Sequence, residues 1–273
     1  VGESAYLVAS RQGIYLADRD GWRRLVEGRF FGIVCVGDEV FAFRHGASAR
    51  PVRPLSGRVV RYAWAGGTLR ELGVVASGLD YGCHQLDFFD DAFFLVDTAN
   101  QRILEYRRDW TQAAAHAILP AADPDGPEHA HLNSIAGTSD RVWVMLHNKP
   151  RGLPSEIVEL DRAFRERGRT VLPCSGCHDI VPLAGGGLLT CLSPLGELAQ
   201  IPGGTHRIDP YWTRGLVVSP DEIVVGSSLF GQRLGRALLP GFLTFLNPDF
   251  SRSARLYLPA APTQIRRVAA GRP

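Results

Sequence analysis

Two histidines stand in nearly the same words of sequence, Gly82-Cys83-His84-Gln85-Leu86 and Gly176-Cys177-His178-Asp179-Ile180. Neutral imidazole is the commonest protein ligand of zinc, copper and iron, and a catalytic metal needs about three protein ligands and an open position. His84 and His178 would supply two. A third is sought in the stretch leading to Asn133, which offers His131 and then His129, or in His147 beyond it. Such a metal would polarise a carbonyl or activate water. Without one, the same rings can serve as general acid and base, because histidine titrates near neutrality. Arg214 adds a planar cation suited to a carboxylate or phosphate, and Asn133 a weak ligand or a substrate hydrogen bond. Asp87 and Asp179 are candidates to orient the imidazoles, although strand alternation favours a structural role for both.

These residues act together only if the fold gathers them. The two histidines are 94 residues apart, two units of about 47, a period at which propeller blades recur. A middle unit fits at Asn133-Ser134-Ile135-Ala136, with a turn at Ser139-Asp140 and a second apolar run, Val142-Trp143-Val144-Met145. The same phase fits Arg214-Gly215-Leu216 before a turn at Pro220-Asp221, and Phe31-Gly32-Ile33 before Gly37-Asp38. Each unit reads as four short β-rich runs separated by Gly, Asp and Pro turns. One run is left at the C-terminus, from Thr263 to Val268, and three at the N-terminus, starting at Tyr6, Ile14 and Trp22. The expectation is an all-β, six-bladed β-propeller with four-stranded blades, residues 1–273 forming one domain. One C-terminal strand joins three N-terminal strands to close the ring. Two β-sandwiches are the alternative, and they leave the common phase unexplained.

In that architecture the heads of the inner strands converge on the central channel. They are Phe31, His84, Asn133, His178, Arg214 and Thr263. The long loops 44–57, 120–132, 147–155 and 227–242 fall on the same face, where loops on a rigid scaffold carry binding or catalysis. The last of these, with Leu229, Leu234, Leu238 and Leu239, reads as a short helix able to act as a lid.

Cys174-Ser175-Gly176-Cys177-His178 matches the C-x-x-C-H pattern of covalent haem attachment. Met145, the sole methionine, is the one distal ligand of its kind, and c-type haem ranks below the other readings. Cys83 and Cys177 read as small apolar residues packed between blades. His45, His116 and His206 read as surface residues. Five cysteines form no even framework, which points to reduced thiols and a cytosolic setting. The missing leader of a chain that begins at Val1 says nothing about compartment. Net charge is +2, and a single lysine, Lys149, stands beside scattered arginines without a basic run. Nothing in this balance points to nucleic acid or an anionic membrane. Oligomeric state is not legible.

The stretch Leu95-Val96-Asp97-Thr98-Ala99-Asn100-Gln101-Arg102-Ile103 resembles the strand-turn-strand of NHL repeats. The chain as a whole resembles the broad propeller group that includes NHL-repeat proteins, gluconolactonase-like hydrolases, strictosidine synthase and the peptidylglycine amidating lyase. The gluconolactonase-like enzymes imply a channel calcium on Glu, Asn and Asp. Asn133 fits that scheme and His84, His178 and Arg214 do not, so calcium ranks below a transition metal. The amidating lyase implies a histidine-held zinc that promotes carbon–nitrogen bond cleavage.

The leading expectation is a metal-dependent lyase or hydrolase acting on a small anionic molecule at the channel mouth. Zinc, iron or copper would sit on His84, His178 and His131 or His147. Arg214 would clamp the anion, and Asn133, Phe31 and Thr263 would contact substrate. The alternatives are a non-catalytic propeller that binds a peptide or protein on this face, and a metal-free enzyme using His84 or His178 for proton transfer.

Overall fold

A computed structural model describes residues 4–46, 55–229 and 239–268. Six four-stranded antiparallel sheets follow one another around a channel. Blade 1 spans 30–79, blade 2 86–117, blade 3 132–171, blade 4 178–207 and blade 5 212–258. Blade 6 sets the C-terminal strand Pro262–Val268 innermost, beside Ala5–Ser10, Gly13–Ala17 and Trp22–Glu27. The expected ring closure is therefore present, with Ala5 opposite Val268 and Ser10 opposite Pro262.

The core is distributed. Six hydrophobic clusters lie one between each pair of adjacent blades; Phe41, Phe43, Phe93 and Leu95, for example, join blades 1 and 2. A blade is thus covered on both faces, which explains why its second strand reads as an unbroken apolar run such as Phe93-Phe94-Leu95-Val96. Outer strands face water on one side and show mixed exposure, as in Gln112–Ala117.

Two features of the inner strands position the channel. The first is a bulge at the strand head. Pairing with the second strand is interrupted at Phe31, Asn133, Asp179, Arg214 and Thr263, in five of the six blades. A bulge re-aims the side chain it carries.

The second feature is a staple at the residue that follows each strand head, which in blade 4 is the bulged Asp179 itself. The side chains of Gln264, Gln85, Ser134 and Asp179 each accept a backbone N–H from the following blade, those of Ile33, Ile135, Asp179 and Gly215, at 2.7, 3.1, 2.9 and 2.8 Å. In blades 1 and 5 the corresponding residue is glycine and the strands close up instead. A Cβ on Gly32 would lie 2.6 Å from the Leu86 nitrogen, and one on Gly215 2.9 Å from the Ile265 side chain. Asp87 pairs with Arg266 at 3.0 Å. Both aspartates thus tie neighbouring blades together.

Candidate functional site

Phe31, Asn133, His178, Arg214 and Thr263 line one small, water-sized cavity of about 10 Å³ together with Gln85, Ser134 and Asp179, partly open to solvent. Five of the six expected strand-head residues are thus brought together. The sixth, His84, joins through its ring, which stacks on Phe31 at 4.9 Å between centroids. It lies just outside its inner strand, Leu86–Phe89, and its backbone N–H donates to the Val96 carbonyl at 3.0 Å.

Above the cavity the imidazoles form a continuous arc. His45 packs on Phe31 at 4.0 Å, Phe31 on His84, His84 on His131 at 4.8 Å, His131 on His147 at 4.9 Å and His147 on His178 at 5.2 Å. The arc ends at Trp212, 5.9 Å from His178. Cations cap both ends. Arg11 and Arg214 lie 4.9 and 5.1 Å from the Phe31 ring centre, and the Lys149 ammonium 5.2 Å from that of Trp212.

Hydroxyls, not carboxylates, orient the two repeated histidines. His84 Nδ1 is 2.8 Å from the Gly82 carbonyl and 2.7 Å from the Thr98 hydroxyl. A carbonyl only accepts, which assigns the proton to Nδ1 and leaves Nε2 its lone pair. His178 Nδ1 is 3.0 Å from the Ser193 hydroxyl. Thr98 and Ser193 each open a 3-10 turn directly after the second strand of their blade. Asp179 is bound to the Gly215 N–H and Asp87 to Arg266, in keeping with the structural role favoured for both.

The first residue after each second strand forms a further ring of positions, consisting of Arg11, His45, Thr98, His147, Ser193 and Leu229. This ring contains two groups that the sequence reading passed over. Arg11 was not singled out, and His45 was assigned to the surface. His45 is instead half-buried between Phe31, Phe43 and Tyr81, and its Nε2 is buried without a hydrogen-bond partner among the described residues. The blade phase, applied to the ends of second strands as well as the heads of inner ones, points to both. His116 and His206 do lie on outer strands, but each stacks on a phenylalanine of the following blade, Phe164 at 3.7 Å and Phe250 at 3.6 Å.

Burial and neighbouring cations favour the neutral forms of His45, His84 and His178. His45 is pushed down to about 2 by burial, then by Arg11, Arg214 and Arg29. His84 lies well below the ordinary histidine value through burial, then His131 and Arg214, and His178 does so through burial, then Arg214 and His147. Asp179 is raised by burial, against the opposing effect of the Gly215 N–H and Arg214. His131 and Asp179 take left-handed backbone conformations, φ 58° and 59°, which non-glycine residues adopt sparingly and which cluster at functional sites.

Asn133 and Thr263 reach the cavity with their donors already engaged. The Asn133 amide donates to the Cys177 carbonyl at 2.8 Å, and the Thr263 hydroxyl to that of Ala9 at 2.9 Å. The expected metal set of His84, His178, His131 and His147 forms a run of touching rings, yet among the described residues no three His, Cys, Asp or Glu side chains stand in a metal-holding arrangement. Met145 is buried in the core between blades 3 and 4 with Cys177, and Cys83 in that between blades 1 and 2. Leu234 and Leu238, on which the lid reading leaned, lie outside the described residues, as do residues 47–54 of the loop after His45.

Neither a protein-family profile nor a curated protein matches the sequence. Solved structures do match. A chain of a nidogen–laminin complex aligns with TM-score 0.67 at 10% identity, covering 98% of this chain and 100% of that one. A protein of unknown function from Bacteroides caccae aligns with TM-score 0.65 at 13% identity over 97% and 99%. Virginiamycin B lyase from Staphylococcus aureus aligns with TM-score 0.51 at 12% identity over 82% and 68%. The chain is a six-bladed β-propeller, similar in fold to proteins that differ widely in what they do.

Proposed function

We propose that the channel mouth binds a small anionic molecule and acts on it as a lyase or hydrolase, with His84 and His178 transferring protons. The observation that carries this is the placement of two guanidinium groups, Arg11 and Arg214, against one face-presenting ring, Phe31, that also packs on His45 and His84. Guanidinium groups recognise carboxylates and phosphates in a fixed geometry. Cationic surroundings and burial hold the imidazoles neutral, as a proton acceptor must be. An arriving anion offsets the guanidinium charge and lifts the imidazole pKa toward neutrality, so that bound substrate itself tunes the base. Phe31 supplies an apolar wall, and the Asn133 carbonyl oxygen and Thr263 border the reacting molecule. Histidine chemistry has a precedent on this fold, for a histidine-to-alanine variant of virginiamycin B lyase is catalytically inactive.

A divalent zinc, iron or copper is a second reading, suggested by the run of four imidazoles from His84 through His131 and His147 to His178. The rings do not fit a metal as they stand, so the chemistry above runs through no metal. Both readings are tested by one thermal-shift panel of small carboxylates, phosphate esters and lactones. It is run on the untagged protein after chelation and again with each metal. At least one anionic class is expected to raise the melting temperature by several degrees, with the shift lost in Arg214→Gln and Arg11→Gln. A metal-dependent shift lost in His84→Ala/His178→Ala would add the metal. No anion shift, or one equal in the arginine variants, would overturn the proposal in favour of a propeller that binds a macromolecule.

A further inference from the structure

The turn that leads into the inner strand of blade 4 brings two thiols together, with 3.5 Å between the sulfurs of Cys174 and Cys177. Cys174 is partly exposed and Cys177 buried. Blade 2 makes the corresponding turn with a different residue. In Asp80-Tyr81-Gly82-Cys83-His84, Asp80 stands where blade 4 has Cys174; its carboxylate accepts the Gly82 N–H at 2.7 Å and its carbonyl the Cys83 N–H at 3.3 Å. Blade 4 ties the same two N–H groups elsewhere, that of Gly176 to the His147 carbonyl at 2.9 Å and that of Cys177 to the Ser155 hydroxyl at 3.0 Å, so the Cys174 side chain ties neither of them and its sulfur stands against that of Cys177. The Cys177 thiol also lies 3.5 Å from the Cys174 carbonyl, and its backbone N–H is fixed by the Ser155 hydroxyl at 3.0 Å, so the buried sulfur is held toward its partner. The hydrogen bond from Cys177 keeps the Cys174 thiol below its ordinary range.

We propose that Cys174 and Cys177 form a redox-active dithiol that closes to an intramolecular disulfide by exchange with a small-molecule disulfide such as oxidised glutathione. The Cys174 thiolate attacks one sulfur of that disulfide, and one glutathione leaves as thiolate. The Cys177 thiol then gives up its proton, its sulfur attacks Cys174 in the mixed disulfide, and the second glutathione leaves. Two protein thiols are oxidised and one glutathione disulfide is reduced to two thiols. Closure brings the sulfurs from 3.5 Å to the bonded length of about 2.05 Å. The turn is tied to the channel mouth, because the Gly176 N–H donates to the His147 carbonyl at 2.9 Å and Asn133 to that of Cys177.

The test is incubation of the folded chain with oxidised glutathione, followed by alkylation, thiol counting after denaturation, and peptide mapping. Free thiols are expected to fall from five to three, with loss of two hydrogens and a cross-link between Cys174 and Cys177. The Cys174→Asp variant, which places the blade 2 residue at this position, is expected to fold and to keep its four thiols. Glutathione left fixed on Cys174, five thiols unchanged, or a cross-link that does not join Cys174 to Cys177 would each overturn the proposal.

Discussion

A buried imidazole that stays neutral refuses a proton which the unfolded chain accepts. The ordinary value is about 6.5, and the folded value for His45 is about 2. Stability from such a ring is complete above the unfolded value and is lost as pH falls below it. At pH 5.5 each refused proton costs about 1.4 kcal/mol. The urea-unfolding free energy is therefore expected to drop between pH 7.5 and 5.5, with His45, His84 and His178 contributing. His45→Phe, which keeps an aromatic ring on Phe31, should reduce that drop by about 1.4 kcal/mol; an unchanged pH slope would show that His45 titrates normally. At this scale the sequence was partly legible. Gly-Cys-His repeated in phase exposed His84 and His178. His45 and Arg11 were missed because nothing in their local sequence marks them, and only the return of each second strand to the same face brings them in.

The strand is the scale at which the blades are joined. Gln85 acts as a short piece of extra backbone, accepting from the Ile135 N–H at 3.1 Å and donating to the Ile135 carbonyl at 2.9 Å. Removing it strands two buried main-chain groups, and Gln85→Leu is expected to cost about 2 to 4 kcal/mol. Gly32→Ala should be comparably damaging, since its Cβ would meet main-chain atoms of blade 2 at 2.6 and 2.7 Å, whereas Gly168→Ala meets nothing within 4 Å. Urea midpoints of the three variants measure this; equal stability of Gly32→Ala and Gly168→Ala would contradict the close approach. Strand order and turns were readable because apolar runs and Gly, Asp and Pro turns are local signals. The staples were not, because the partner of each side chain lies a blade away, from 36 residues between Asp179 and Gly215 to 231 between Gln264 and Ile33.

At the scale of the whole molecule the ring is closed by one strand, and the core exists only between blades. Deleting residues 262–273 removes the inner partner of Ala5–Ser10 and the Gln264 side chain that holds both Ile33 and Leu86. That truncation is expected to lose cooperative unfolding, while a circular permutant joining the present ends and opened at the exposed Gly185-Gly186 turn should keep it. A cooperatively folding truncation would show that the closure is dispensable. Closure was inferable from the count of leftover strands. The directions of the side chains at the channel mouth were not, because strand phase leaves them open. The proposed anion site, neutral imidazoles beside two guanidiniums, is probed by a ¹⁵N NMR pH titration of the histidine rings with and without inorganic phosphate. His84 and His178 are expected to stay neutral well below pH 6.5, and phosphate to raise their pKa in the parent chain but not in Arg214→Gln. Rings that titrate like exposed histidines, or that ignore phosphate, would contradict it.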